Sequence, residues 1–233
     1  MYTIFSFTLA VIPALFLIRY FYNQDSLKKE PKGLIVKVFF LGILSTIPVI
    51  IIEIILGEFN KLLPAESMQF FAFKAFVVAA FSEEFLKFLV VRYYPFRKTD
   101  FDEVMDGIVY AVTASLGFAC LENIIYVING GFLTALIRAI TAVPLHALSA
   151  GVMGYYIGEA KFASDKKIRM SFFLRGLFYA ILIHGIYDFV LFISPVVGFW
   201  ISLVVIPVLY ISYRLLKKKI KIAKTEDMVM ERV

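Results

Sequence analysis

The 233-residue sequence predicts an all-α, polytopic membrane protein, and three observations predict it. Hydrophobic residues make up 61% of the chain and charged residues 18%, too little charge to cover the surface of a water-soluble domain. Seven apolar stretches each reach the roughly 20 residues that a helix needs to cross a hydrocarbon core about 30 Å thick. Basic residues alternate from one connecting loop to the next, the pattern that arises when lysine and arginine stay on the cytoplasmic face.

The first span, 2–22, is uncharged up to Arg19 and lacks the basic start and small-residue cleavage site of a signal peptide, so it is expected to be retained. Lys28, Lys29 and Lys32 follow it, with Pro31 and Gly33 marking the turn into the second span, 34–57. Pro64 precedes the third, 68–91, which leads into Arg92, Pro95, Arg97 and Lys98. The fourth, 104–128, ends before Gly130 and Gly131, which open the fifth, 132–158. A basic loop of Lys161, Lys166, Lys167 and Arg169 leads to the sixth, 171–193, and Pro195 separates it from the seventh, 196–216. The second, fourth and sixth loops together carry only Lys61, so the alternation places the N-terminus outside and the C-terminus in the cytoplasm. The spans leave no room for a separate soluble domain: residues 1–233 read as one membrane-embedded domain with a basic cytoplasmic tail at 217–233. The net charge of +6 is accounted for by topology and does not form a nucleic-acid-binding face; the expected surface partner is the lipid bilayer, whose anionic headgroups attract the tail. Cys120, the lone cysteine, lies mid-span and reads as core.

Glu83 and Glu84 interrupt the apolar run of the third span, with Lys87 one turn beyond. Each ionised side chain at mid-bilayer costs about 2.5–3.5 kcal/mol, and such residues mark sites or pathways. Glu83 lies eight residues from the cytoplasmic end of its span, His146 twelve from that end of the fifth, and His184 thirteen into the sixth, a shared layer near the midplane at about 1.5 Å per helical residue. Lys87 is i+4 from Glu83 and i+3 from Glu84, and Asp188 is i+4 from His184, where it can fix the imidazole tautomer. Glu122, one turn from Phe118 and from Tyr126, lies with Asp188 further toward the outer side. Ala142, Ala147, Ala150, Gly151 and the Gly154/Gly158 step around His146 predict a central helix that neighbours approach closely. Glu53, Lys74 and Arg138 stand near outer span ends and read as snorkelling side chains, and Asp106 as an anion at a helix N-terminus. The 25 phenylalanines and 13 tyrosines read mainly as lipid-facing and interfacial.

This constellation suits hydrolysis of a peptide bond by water. A carboxylate pair can act as base and then acid, one histidine can hold the water, and the other can donate to the tetrahedral intermediate. No serine or cysteine nucleophile stands in a triad context. Zinc is the alternative, since two histidines and several carboxylates are ligand types, but HExxH is absent and no two histidines are i,i+4; no cofactor is expected. From other classes, a proton- or cation-coupled transporter would use the same buried acids as a relay, though no internal repeat is visible. A non-catalytic scaffold would bind a partner helix through the Gly154/Gly158 face.

Four segments in order carry a resemblance: SEEFLKF (82–88), FACLEN (118–123), VPLHALSAG (143–151) and HGIYD (184–188), that is, EExxK, FxxxE, a later His and HxxxD. Together they resemble the PrsW membrane proteases, which are similar to the glutamate-type intramembrane proteases that include the CAAX-processing enzymes and bacterial immunity-related homologues. The resemblance implies that Glu83 and Glu84 activate water, that His146 and His184 assist and form the oxyanion site, and that Lys87, Glu122 and Asp188 support them. Relative to the CAAX enzymes, Lys87 stands one position earlier than their arginine, Glu122 replaces a histidine and Asp188 an asparagine, which points away from prenyl-protein processing. What is implied instead is first-site cleavage of a membrane-spanning anti-sigma factor in a bacterial plasma membrane, leading to sigma-factor release in envelope stress. Such cleavage is expected near the outer face, whereas the depth count sets Glu83 and Glu84 nearer the cytoplasm. Either the site opens outward through a cavity near Glu122 and Asp188, or the third span has other boundaries.

Overall fold

The computed structural model describes residues 2–25 and 27–232, and the described chain is helical with no strand. The helices are α1 (Tyr2–Gln24), α2 (Lys32–Asn60), α3 (Met68–Phe73), α4 (Ser82–Tyr93), α5 (Val104–Ile140), α6 (Ala142–Phe162), α7 (Lys166–Val197) and α8 (Val205–Met230). A π-helical segment, Lys74–Phe81, joins α3 to α4 without a break, and a 3₁₀ segment, Phe199–Val204, leads into α8.

Five helical stretches among the described residues are long and apolar enough to cross a membrane: Phe5–Gln24, Lys32–Asn60, Val104–Phe162, Lys166–Val197 and Phe199–Met230. Two differences separate these five from the seven read in the sequence. The predicted third span is helical throughout, but its π-helical middle divides it into pieces, of which α4 carries Glu83, Glu84 and Lys87. The predicted fourth and fifth spans form one long helical stretch, interrupted at Gly131 and again at Thr141.

Those two interruptions move the predicted start of the fifth span. Gly131 has φ 69°, a conformation open to glycine at little cost, and lets 132–140 turn away from the axis of α5. The helix that carries His146 starts at Ala142, ten residues after the predicted boundary at 132. Pro144 explains the break at Thr141: its ring would clash with the carbonyl of Ile140 in a continuous helix, and it is tolerated in a first turn.

α5 and α6 form the centre and are buried along most of their lengths. A Cβ on Gly154 would stand 2.3 Å from the carbonyl oxygen of Gly107, and one on Gly158 2.3 Å from that of Val104, so the two backbones touch. α1 and α2 pack on α5, α7 packs on α6, and α8 closes over both. The Gly154/Gly158 face is therefore consumed within the chain, which removes the surface that the scaffold reading requires. Cys120 is buried and free, as expected of core.

The tail is ordered helix to Met230. Its Asp227 reaches across the chain to accept the N–H groups of Val104 (2.6 Å) and Met105 (3.0 Å), capping α5. Asp106 serves the same helix end as its composition predicted, accepting from the N–H groups of Asp102 (2.8 Å) and Glu103 (2.7 Å). Burial, with neighbouring carboxylates, pushes Glu30 up to about 7 and Glu103 up to about 8 at this end of the bundle.

Candidate active site

The first turn of α4 follows directly on the π-helical segment, and this sets Glu83 and Glu84 at the helical layer where α4, α6 and α7 meet. Gly185 on α7 accepts the ring of Phe76 from the π segment, since a Cβ there would lie 2.2 Å from Phe76 Cδ1. That seating brings His184 beside the two glutamates.

Lys87 is the hub. Its side chain is 0% exposed, and Nζ lies 2.8 Å from Glu83 Oε2, 3.0 Å from Glu84 Oε1 and 3.1 Å from His146 Nδ1. The ring of Phe118 closes the remaining side at 4.2 Å, so this phenylalanine of the FxxxE segment is part of the centre rather than lipid-facing. A buried ammonium demands this degree of compensation.

The histidines bridge outward from the hub. Nδ1 of His184 lies 2.9 Å from Glu84 Oε1, and its Nε2 lies 3.4 Å from Asp188 Oδ2 and 3.9 Å from Glu83 Oε2. His146 Nε2 lies 2.9 Å from Glu122 Oε2 and its Nδ1 4.0 Å from Glu83 Oε2. The two imidazoles meet edge to face with centroids 5.2 Å apart. All seven residues singled out in the sequence, Glu83, Glu84, Lys87, Glu122, His146, His184 and Asp188, thus lie in one connected cluster.

The two glutamates are not equivalent. Glu84 is wholly enclosed, held by Lys87, His184 and, at 3.5 Å, the hydroxyl of Ser149. Glu83 lines a cavity of about 610 Å³, together with Glu122, His146, His184 and Asp188. The same cavity reaches Glu53, Lys74, Asn129 and Arg138, at the helix ends away from the basic loops. The two histidine nitrogens 3.9–4.0 Å from Glu83 Oε2 are too far for direct hydrogen bonds.

Arg138 is the residue that the sequence reading missed. Instead of snorkelling, it points into the protein: Nη2 lies 2.8 Å from Glu122 Oε2, Nε 2.6 Å from Asn123 Oδ1, and the guanidinium 3.9 Å from the Tyr126 ring. Glu53 and Lys74 likewise line the cavity, the ammonium of Lys74 lying 4.5 Å from the Phe192 ring. Two signals were present in the sequence. Gly131 and Pro144 bracket a short fold-back segment, and a span arginine needs an acid partner, for which Glu122 was the nearest unpaired candidate.

One donor atom from each of Glu83, Glu84, His146 and His184 falls within 4.8 Å of the others, and these are zinc-ligand types. The position is contested, however, because the Lys87 ammonium already contacts both carboxylates and His146 Nδ1. An ion among the same four donors would face that buried positive charge at close range, so a metal fits there only if the Lys87 ammonium moves away or loses its proton.

Fold and site together define a polytopic membrane protein with an acid–imidazole–ammonium centre buried among its helices and joined to a cavity. Residues 30–213 match the family described as "PrsW family intramembrane metalloprotease". The chain is 35% identical over 208 residues to Protease PrsW of Geobacillus kaustophilus, covering 89% of each. It is 38% identical over 181 residues to Protease PrsW of Bacillus subtilis (78% of this chain, 80% of the relative) and 39% over 185 residues to that of Oceanobacillus iheyensis (78% and 80%). No solved structure matches. The chain belongs to the PrsW family of intramembrane proteases.

Proposed function

We propose that this membrane protease hydrolyses a peptide bond with a water activated by Glu83, and that it does so without a metal. The observation that carries the reading is the division of labour in the pair: Glu83 faces the cavity, while Glu84 is locked behind it by Lys87 and His184. Water held between Glu83 and His146 attacks the scissile carbonyl carbon as Glu83 takes its proton. The carbonyl oxygen, now an oxyanion, accepts a hydrogen bond from His184 Nε2. Glu83 returns the proton to the leaving nitrogen as the C–N bond breaks, and Lys87 balances the carboxylate charge throughout. Glu84 and Asp188 orient His184, and Glu122 orients His146.

The seven-crossing topology belongs to the same reading, with 68–93 and 142–162 as full crossings, the N-terminus outside and the C-terminus cytoplasmic in a bacterial plasma membrane. In that orientation the basic loops lie in the cytoplasm and the cavity mouth at Lys74, Asn129 and Arg138 faces outward. A deep catalytic pair served by an outward cavity is consistent with first-site cleavage close to the outer face. The substrate proposed is a single-span membrane protein of the anti-sigma-factor class, whose cleavage starts release of a sigma factor.

The test uses purified protein in detergent with single-span membrane substrates. Glu83→Gln and Glu84→Gln, each still folded, should abolish cleavage; full activity in both would sink the mechanism. Zinc is the second reading, favoured by the four clustered donors and by the family's description as metalloproteases. Activity that disappears with a chelator and returns with zinc would establish it in place of the metal-free route.

A further inference from the structure

At the end of the bundle away from the cavity, carboxylates crowd between the end of α1 and the start of α5. Capping accounts for part of them: Asp227 takes two α5 N–H groups, and one oxygen of Asp106 takes those of Asp102 and Glu103 just before the helix. Asp102 pairs with Lys28, and one oxygen of Glu30 accepts the Tyr110 hydroxyl. Capping and pairing leave a remainder. Asp25 is 1% exposed, with the Glu103 carboxyl and the Leu27 N–H beside it, yet among the described residues no donor stands in hydrogen-bonding geometry to either of its oxygens; the second oxygens of Asp106 and Glu30, which face each other, are buried and without a donor as well.

One oxygen from each of Asp25, Glu103 and Asp106 lies within 4.8 Å of the other two. The nearby lysines are engaged elsewhere, Lys28 with Asp102 and Lys161 with the carbonyls of Phe96 and Lys98, and among the described residues no salt bridge reaches these three acids. Converging carboxylate oxygens that no salt bridge neutralises, those of Asp25 and one of Asp106 buried and without an N–H or O–H donor, are what a hard cation satisfies, and an all-oxygen donor set selects magnesium or calcium over zinc. We propose that Asp25, Glu103 and Asp106 bind one such divalent cation, which clips the end of α1 to the first turn of α5. The site lies at the opposite end of the fold from Glu83 and does not depend on the catalytic reading.

The test strips the full-length protein in detergent with a chelator, then titrates it separately with magnesium and calcium. Ion binding is followed by competition against manganese in electron paramagnetic resonance, and stability by thermal unfolding. One saturable ion per chain and a rise in unfolding temperature are expected, and the cation that binds more tightly identifies the occupant. Asp25→Asn and Glu103→Gln should each weaken binding by at least about tenfold. Cation-free Asp25→Asn should unfold at a higher temperature than cation-free wild type, since it removes an unpaired buried charge; a helix-packing role alone predicts no such gain. Glu84→Gln, in the catalytic cluster, should leave the titration unchanged. No saturable binding up to about 1 mM cation, the weak end for such sites, would overturn the proposal. So would binding intact in both variants, or binding lost in Glu84→Gln.

Discussion

Replacing Lys87 by methionine keeps an unbranched stem of similar length and removes the one ammonium that faces Glu83, Glu84 and His146 within 3.1 Å. Lys87 and Glu84 are both 0% exposed in their side chains, so water cannot take over its role. Removing one partner of a buried pair typically costs about 3–5 kcal/mol, because the other charge is left uncompensated. That corresponds to roughly a hundred- to several-thousand-fold in the folding equilibrium and is a large share of the about 5–15 kcal/mol that holds a domain together. If the loss arises from stranded carboxylates, adding Glu84→Gln to Lys87→Met should recover about 1–3 kcal/mol, a coupling expected only of residues in contact. Equilibrium unfolding in mixed micelles of wild type, both single variants and the double variant measures this. A Lys87→Met loss below about 1 kcal/mol, or strictly additive effects, would refute the hub role of this lysine.

Three further outcomes follow from particular contacts. Arg138→Met frees Glu122 and lets His146 drift, so kcat should fall by about a hundredfold with KM little changed; Arg138→Lys should recover only part, lacking the fork that reaches both Glu122 and Asn123. Gly154→Ala puts a methyl 2.3 Å from the Gly107 carbonyl and should cost about 1–3 kcal/mol in thermal or denaturant unfolding, whereas Gly33→Ala, with nothing within 4 Å, should be neutral or slightly stabilising. Asp227→Ala removes two caps from α5 and should lower stability by about 0.5–2 kcal/mol by the same measurement, with little change in kcat of the protein that remains folded.

The buried polar cluster was legible in the sequence because charge in an apolar span is expensive and therefore conspicuous. Glu83, Glu84, Lys87, His146, His184, Glu122 and Asp188 stood out against lipid-like surroundings, and their i,i+3 and i,i+4 spacings fixed the local pairs. Arg138 was misread because its depth was counted from a straight span. A snorkelling side chain and one folded back over a cavity have the same sequence neighbours. The division between Glu83 and Glu84 was equally out of reach, since adjacent residues on one helix differ only in what packs against them.

Composition and periodicity by themselves determined an all-helical membrane protein, the layer at which its polar groups sit, and which residues had to find partners there, since a hydrocarbon solvent imposes those terms on every such chain. Only the tertiary structure decided which partners they found. The left-handed Gly131 and the helix start enforced by Pro144 fold residues 132–140 back onto α5, and the resulting seat for Arg138 depends on backbone geometry that hydropathy does not encode. The same holds for Asp227 capping a helix more than 120 residues earlier in the chain, a contact made by packing and invisible to any local pattern.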